Sequence, residues 1–175
     1  MHTRLVEPED AEAILTIYNV EIIETTTTFD LVPRDLEDQL AWIEERQGAH
    51  LAIVAVNDEN EIGNIGARGD LIVGFAALSP FRSRAAYATT VENSVYVDRA
   101  ARGTGVGRLL LTDLLSLAAN AGFHSVIARI VGENSASIAL HEACGFELVG
   151  REREVGRKHG RWLDVVELQR LLDTV

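Results

Sequence analysis

Apolar and polar positions alternate along this chain in two periods, and the switches between them mark its elements. Residues 3–6 read as a short strand. Ala11, Ile14, Leu15 and Tyr18 recur at helical spacing and predict a helix over 8–23. The threonine run at 25–28 is β-branched and does not continue a helix comfortably. Leu36, Leu40 and Ile43 share one side of a second helix over 35–46. Residues 51–56 and 71–78 read as strands. Residues 87–97 alternate, with Val91, Val95 and Val97 on one side and Glu92, Ser94 and Tyr96 on the other. A strong helix follows over 105–121, closed by Gly122 at the cap position. A strand over 125–130, a helix over 134–143 closed by Gly145, and strands over 146–155 and 162–169 complete the pattern. Trp162 reads as core. Residues 57–70 carry three glycines and mixed charge and predict a long loop. Strands with interspersed helices give an α/β (or α+β) class with a mixed central sheet. No repeat or linker interrupts it, so one domain is expected over 1–175.

Composition changes this picture in few places. Of 175 residues 47% are apolar, which excludes a disordered chain. No apolar run approaches the roughly 20 residues of a membrane helix, so no membrane span is expected. The opening MHTRLVEPED has no apolar stretch of the signal-peptide kind. The single cysteine, Cys144, leaves no internal disulfide and no cysteine-cluster metal site, and a cytoplasmic location fits. No His/Asp/Glu spacing suggests a metal. Sixteen basic against 27 acidic residues give a net charge of −11, which disfavours nucleic acid and anionic membranes as partners. A phosphorylated ligand would therefore need a local cationic cluster.

Such a cluster is present. Val95-Tyr96-Val97 leads through Arg99 and Arg102-Gly103-Thr104-Gly105-Val106-Gly107-Arg108 into the strong helix. The first N–H groups of a helix lack internal partners and carry partial positive charge. Glycines let a pyrophosphate approach them closely, and three arginines stand beside it. The spacing is not the Rossmann G-x-G-x-x-G, and the Walker Gly-Lys-Ser/Thr is absent.

Arg102-x-x-Gly105-x-Gly107 after Val95-Tyr96-Val97 resembles the acyl-CoA loop of the GNAT superfamily of N-acetyltransferases. Residues 134–146, NSASIALHEACGF, resemble a later segment of the same superfamily. A narrower likeness covers Thr28-Phe29, Arg84-Ala85-Ala86-Tyr87, the run TVENSVYV from Thr90 to Val97, Leu140-His141-Glu142 and GRKHGRWLDV from Gly156 to Val165. These are similar to the phosphinothricin / methionine-sulfone acetyltransferase subfamily. The resemblance implies a splayed sheet with acetyl-CoA wedged between two parallel strands, direct acetyl transfer, and a homodimer. It assigns cofactor contacts to Val95, Tyr96, Val97, the loop from Arg102 to Arg108, and Asn134. Many superfamily members carry a tyrosine where this chain has His141.

The implied reaction is attack of an amine on a thioester, which needs a neutral amine and a proton for the leaving thiolate. An α-amine titrates near about 8 and a lysine near about 10.4, so an α-amine asks less of a base. Glu92, a carboxylate within a strand, is the candidate base, because burial would raise its pKa. The bland alternative is a carboxylate satisfied by an arginine. His141 shares a helix face with Asn134 and is a candidate acid or substrate-orienting residue. Arg82, Arg84 and Tyr87 precede the Glu92 strand, and arginine forks suit a carboxylate or phosphinate. Phe29 is a wall of the same pocket by resemblance. Cys144 is an unfavoured nucleophile. The acceptor is expected to be the α-amine of a small amino acid analogue such as phosphinothricin, methionine sulfone or methionine sulfoximine. A polyamine, a protein N-terminus, or a non-catalytic acyl-CoA-binding module are the alternatives.

Overall fold

The computed structural model describes residues 1–58 and 63–172. Its strands are β1 (His2–Leu5), β2 (Ala52–Val56), β3 (Asn64–Ile65), β4 (Leu71–Pro80), β5 (Thr90–Val97), β6 (Ser125–Val131), β7 (Glu147–Lys158) and β8 (Arg161–Leu171). They form one sheet in the order β1-β2-β4-β5-β6-β8-β7, with β3 attached to β4. Helices α1 (Ala11–Glu24) and α2 (Leu36–Glu44) cover one face. There Ile14, Ile17, Tyr18, Ile22 and Ile43 pack on Val54, Val56, Ile72 and Phe75. Helices α3 (Val106–Asn120) and α4 (Ser135–Ala143) lie on the other face. There Leu110, Leu111 and Leu114 meet Ile53, Val73, Val91 and Ala128. The alternation read in β5 serves both layers. Val91 enters the α3 core, while Tyr96 stacks on Phe75 under α1 with ring centroids 5.2 Å apart.

One pairing positions the site. Strands β5 and β6 run parallel, joined by the α3 crossover that parallel neighbours require. They pair only at Thr90–Ser125, Val91–Val126 and Glu92–Ile127. Beyond Glu92, β5 stays on β4 as far as Val97, and β6 stays on β8 as far as Val131. The sheet therefore splays between them, as the resemblance implied.

Several boundaries differ from expectation for local reasons. Residues 8–10 form a 3₁₀ turn before α1, and Asp10 accepts the Glu7 N–H at 2.9 Å. Residues 85–87 form another 3₁₀ turn, so β5 begins only at Thr90. The expected 57–70 loop is in part structured. Residues 59–62 lie outside the described residues, but β3 pairs with β4 and a 3₁₀ turn follows it. Buried Asp10 staples this segment by accepting from Ala67 N at 2.8 Å and from Arg4 at 2.7 Å. Trp162 is not core. It is 61% exposed on β8 while its neighbour Leu163 turns inward, and the Arg157 guanidinium lies 5.4 Å from its ring centre. No described helix is long and apolar enough to cross a membrane.

Candidate active site

The gap between β5 and β6 opens into a cleft of about 600 Å³. Both strands line it, together with the N-terminus of α3, the inner side of α4 and the segment after α1.

One end is built from backbone. Gly105 caps α3 at φ +95°, and Gly103 also has positive φ, at +77°; both are conformations that side-chain-bearing residues avoid. The first bond of α3 runs from Leu109 N to Gly105 O, so the N–H groups of Val106, Gly107 and Arg108 precede the helical ladder. Val106 is core and, unlike Gly105, Gly107 and Arg108, is not on the cleft wall. Thr104 donates its hydroxyl to Ala101 O at 2.7 Å, which closes the turn, and is not itself on the cleft wall. Arg102 Nε donates to Val97 O at 3.3 Å. That bond shows Val97 presenting its backbone to the gap, and the strand period gives Val95 the same edge. Tyr96 between them turns its ring under α1. Arg108 lines the cleft, as does Asn134, whose side chain caps α4 by accepting from Ser137 N at 3.1 Å.

A carboxylate the sequence did not reveal organises this end. Glu21 of α1 is buried and accepts from Arg99 at 3.1 Å and Arg102 at 2.9 Å. The Thr25 and Thr27 hydroxyls donate to its other oxygen. Burial works to raise its pKa, but the Arg99 hydrogen bond and the nearby Arg102 charge hold it below the usual carboxylate range.

The other end is built from side chains. Glu92 lines the cleft and is half-buried, with no hydrogen-bond or ion-pair partner among the described residues. Burial raises its pKa, the Arg129 charge opposes that rise, and Glu167 and Glu152 add to it. Among the described residues no arginine hydrogen-bonds or ion-pairs with Glu92, although the Arg129 charge acts on it. His141 is 3% exposed. Its Nδ1 lies 2.8 Å from the Ser137 carbonyl, which can only accept, so Nδ1 carries the proton. Its Nε2 then accepts from the Asn93 amide at 2.9 Å, and burial lowers its pKa further into the neutral form. Asn93 Oδ1 is buried without a partner among the described residues.

Phe29 lines the cleft too, and Gly156 lets it lie there. A Cβ at Gly156 would come within 2.3 Å of the Phe29 ring. Buried Lys158 fixes the same segment by donating to Thr28 O at 2.8 Å. Arg82, Arg84 and Tyr87 are not brought into the cleft of this chain. They sit in the turn between β4 and β5, where Arg82 stacks on Phe81 and Tyr87, themselves an edge-to-face pair. Arg129 of β6, not singled out from sequence, is in the cleft. The available signal was one charge inside an otherwise apolar strand. Cys144 is buried at the end of α4 and off the cleft wall. No group able to hold a metal occurs among the described residues.

An open strand edge facing a glycine-capped helix N-terminus suits a long phosphorylated thioester, and sequence comparison decides the family. The model described as Acetyltransferase (GNAT) domain matches residues 3–166. The chain belongs to the GNAT acetyltransferase family. This GNAT acetyltransferase is 36% identical over 173 residues to an L-methionine sulfoximine/L-methionine sulfone acetyltransferase of Salmonella typhimurium, covering 99% of this chain and 95% of the relative. It is 38% identical to a phosphinothricin N-acetyltransferase of Streptomyces coelicolor, covering 94% and 92%. Among solved structures, a phosphinothricin acetyltransferase from Sinorhizobium meliloti in complex with AcCoA matches with TM-score 0.87 and 35% identity, covering 97% and 87%.

Proposed function

We propose that this GNAT enzyme transfers an acetyl group from acetyl-CoA to the α-amine of a small amino acid analogue of the phosphinothricin or methionine sulfone kind. The observation that carries the reading is the cleft itself. It places an open strand edge and a helix N-terminus at one end and an unpartnered, half-buried carboxylate at the other.

The residues present fit acetyl-CoA. The N–H groups of Gly107 and Arg108 and the Arg102 and Arg108 side chains suit a pyrophosphate. The gap-facing backbone of Val95 and Val97 suits the amides and the acetyl oxygen. Bound there, acetyl-CoA supplies an acetyl group on a thioester and leaves as the thiol. Glu92 would take the proton of the acceptor ammonium, directly or through a water, so that nitrogen presents a lone pair; the N–C bond forms as the C–S bond breaks, and the second proton, shed by the acylated nitrogen, goes to the departing thiolate. Burial suits Glu92 to this, because a base with a raised pKa holds the proton more readily. His141, neutral and engaged at both nitrogens, serves the site by orienting Asn93. Phe29 walls the acceptor pocket.

The test is thiol release from acetyl-CoA against a panel of phosphinothricin, methionine sulfone, methionine sulfoximine, spermidine and an N-terminal peptide. Saturable turnover with the amino acid analogues is the expected result. Turnover confined to spermidine or the peptide would overturn the acceptor, and tight acetyl-CoA binding without any turnover would overturn the enzyme reading.

A further inference from the structure

Two arginines lining the cleft belong to the glycine loop, and the third is Arg129 at the opposite end. Its position follows from register. Glu92 is paired with Ile127, so the two share a sheet face, and Arg129 lies two residues farther along β6 on that same face. Its neighbours Ala128 and Ile130 turn the other way, into the core beneath α3. By the spacings of a sheet, the Cα atoms of Glu92 and Arg129 are at least about 8 Å apart, and both side chains line the same cleft. Strand β6 has already lost β5 as a partner at this point, so the guanidinium stands in the gap.

The guanidinium is held but not used up. One nitrogen, Nη2, donates to Glu152 of β7, and this is its only hydrogen bond to a described residue. Its side chain is 35% exposed. The pairing fixes the plane of the fork, so little rotamer freedom remains to be lost when a second oxyanion arrives. Glu92, Glu152 and Glu167 surround this one cation. A ligand with a positive end and a negative end matches that arrangement, its ammonium toward Glu92 and its carboxylate toward Arg129. A polyamine has no group for the arginine. A peptide α-amine has its carboxyl converted to an amide.

We infer that Arg129 is the specificity-determining residue of the acceptor half, selecting a free α-amino acid by its carboxylate. This rests on the acetyltransferase reading above and adds to it the group that reads the acceptor. The arginines of the β4–β5 turn do not line the cleft in this chain, whereas Arg129 does.

The experiment compares L-methionine sulfone with its carboxamide as acceptors, at saturating acetyl-CoA, in the full-length enzyme. The wild type should favour the free acid in kcat/KM by about 10- to 100-fold, the scale of a charge-assisted hydrogen bond. Arg129→Gln should bring that ratio toward one, mainly through KM for the free acid. Arg129→Lys, which keeps the charge but loses the fork, should give an intermediate ratio. A normal KM for acetyl-CoA shows each variant to be folded. A ratio unchanged in Arg129→Gln overturns the assignment while leaving the acetyltransferase reading intact, as does a wild type that uses the carboxamide or spermidine equally well. A wild type that acetylates no α-amino acid overturns both.

Discussion

Two carboxylates, Glu21 buried and Glu92 half-buried, face the same cleft and are treated in opposite ways. Glu21, at the glycine-loop end, is surrounded by Arg99, Arg102 and two threonine hydroxyls and is held below the usual carboxylate range. Glu92, at the other end, has no hydrogen-bonded partner among the described residues and is pushed above that range, chiefly by burial. A carboxylate saturated with donors is structural, because its charge is already spent on fixing its neighbours. A carboxylate left without them has unused affinity for a proton. The contrast fits fixed geometry at the first end and, under the proposed function, proton transfer at the second.

The largest effect should come from Glu92→Gln, which keeps shape and removes the base. A fall in kcat of about 100-fold or more is expected, with KM for acetyl-CoA little changed. The acid limb of the wild-type pH profile should lie above the usual carboxylate range and be absent from the variant. Stability should move the other way. A carboxyl whose pKa is raised on folding binds its proton more tightly in the native state, so stability falls as pH rises through the window between the unfolded and folded values. At neutral pH Glu92→Gln should therefore melt no lower than the wild type. A lower melting temperature together with unchanged kcat would erase the distinction between the two carboxylates.

Next in size is Gly105→Val. Gly105 sits at φ +95°, where a β-branched residue is strained by about 1–2 kcal/mol. Relaxing that strain turns the first N–H groups of α3 away from their common direction. KM for acetyl-CoA should rise about tenfold while kcat at saturation stays near the wild-type value. A change in kcat alone would show that the glycine loop takes part in the chemical step and not only in holding the cofactor.

The two ends also differ in how far the sequence discloses them. The glycine-loop end is contiguous, running from Val95 to Arg108 as strand, turn and helix, and its chemistry is backbone. Residue types at fixed spacing therefore describe it almost completely. The layers of the fold were legible for the same reason, since the alternation in β5 names the residues for each face. The acceptor end is assembled from the segment after α1, β5, β6, α4 and β7, and no local spacing links Glu92 to Arg129 or Phe29 to Gly156. Arg82 and Arg84 carry the right chemistry and lie close to Glu92 in sequence, but the 3₁₀ turn at Ala85–Tyr87 and the Phe81–Tyr87 pair keep them outside the cleft. Glu21 was hidden because it is one of three glutamates on α1, with Glu12 and Glu24, and nothing in the helix's own sequence distinguishes it from a solvated position. Its burial depends on arginines that arrive about 80 residues later, at Arg99 and Arg102. Trp162 failed as core because hydrophobicity alone does not say which side of an edge hairpin faces solvent.

The smallest effect on kcat/KM is expected at His141, and it tests whether the acceptor end holds a second proton-transfer group. An acid that protonates a leaving thiolate must carry a proton it can release toward the cleft. The His141 proton is on Nδ1, directed at the Ser137 carbonyl, and Nε2 already accepts from Asn93. Burial lowers its pKa, so the doubly protonated form is scarce at neutral pH. His141→Gln should thus lower kcat by less than about tenfold and leave the alkaline limb of the pH profile in place. Its main consequence should be a lower melting temperature, because Asn93 would lose its buried partner, at a cost of about 1–3 kcal/mol. A fall of about 100-fold with loss of the alkaline limb would instead make the imidazole the acid. The neutral Asn93–His141 pair would then have to rearrange when acetyl-CoA binds.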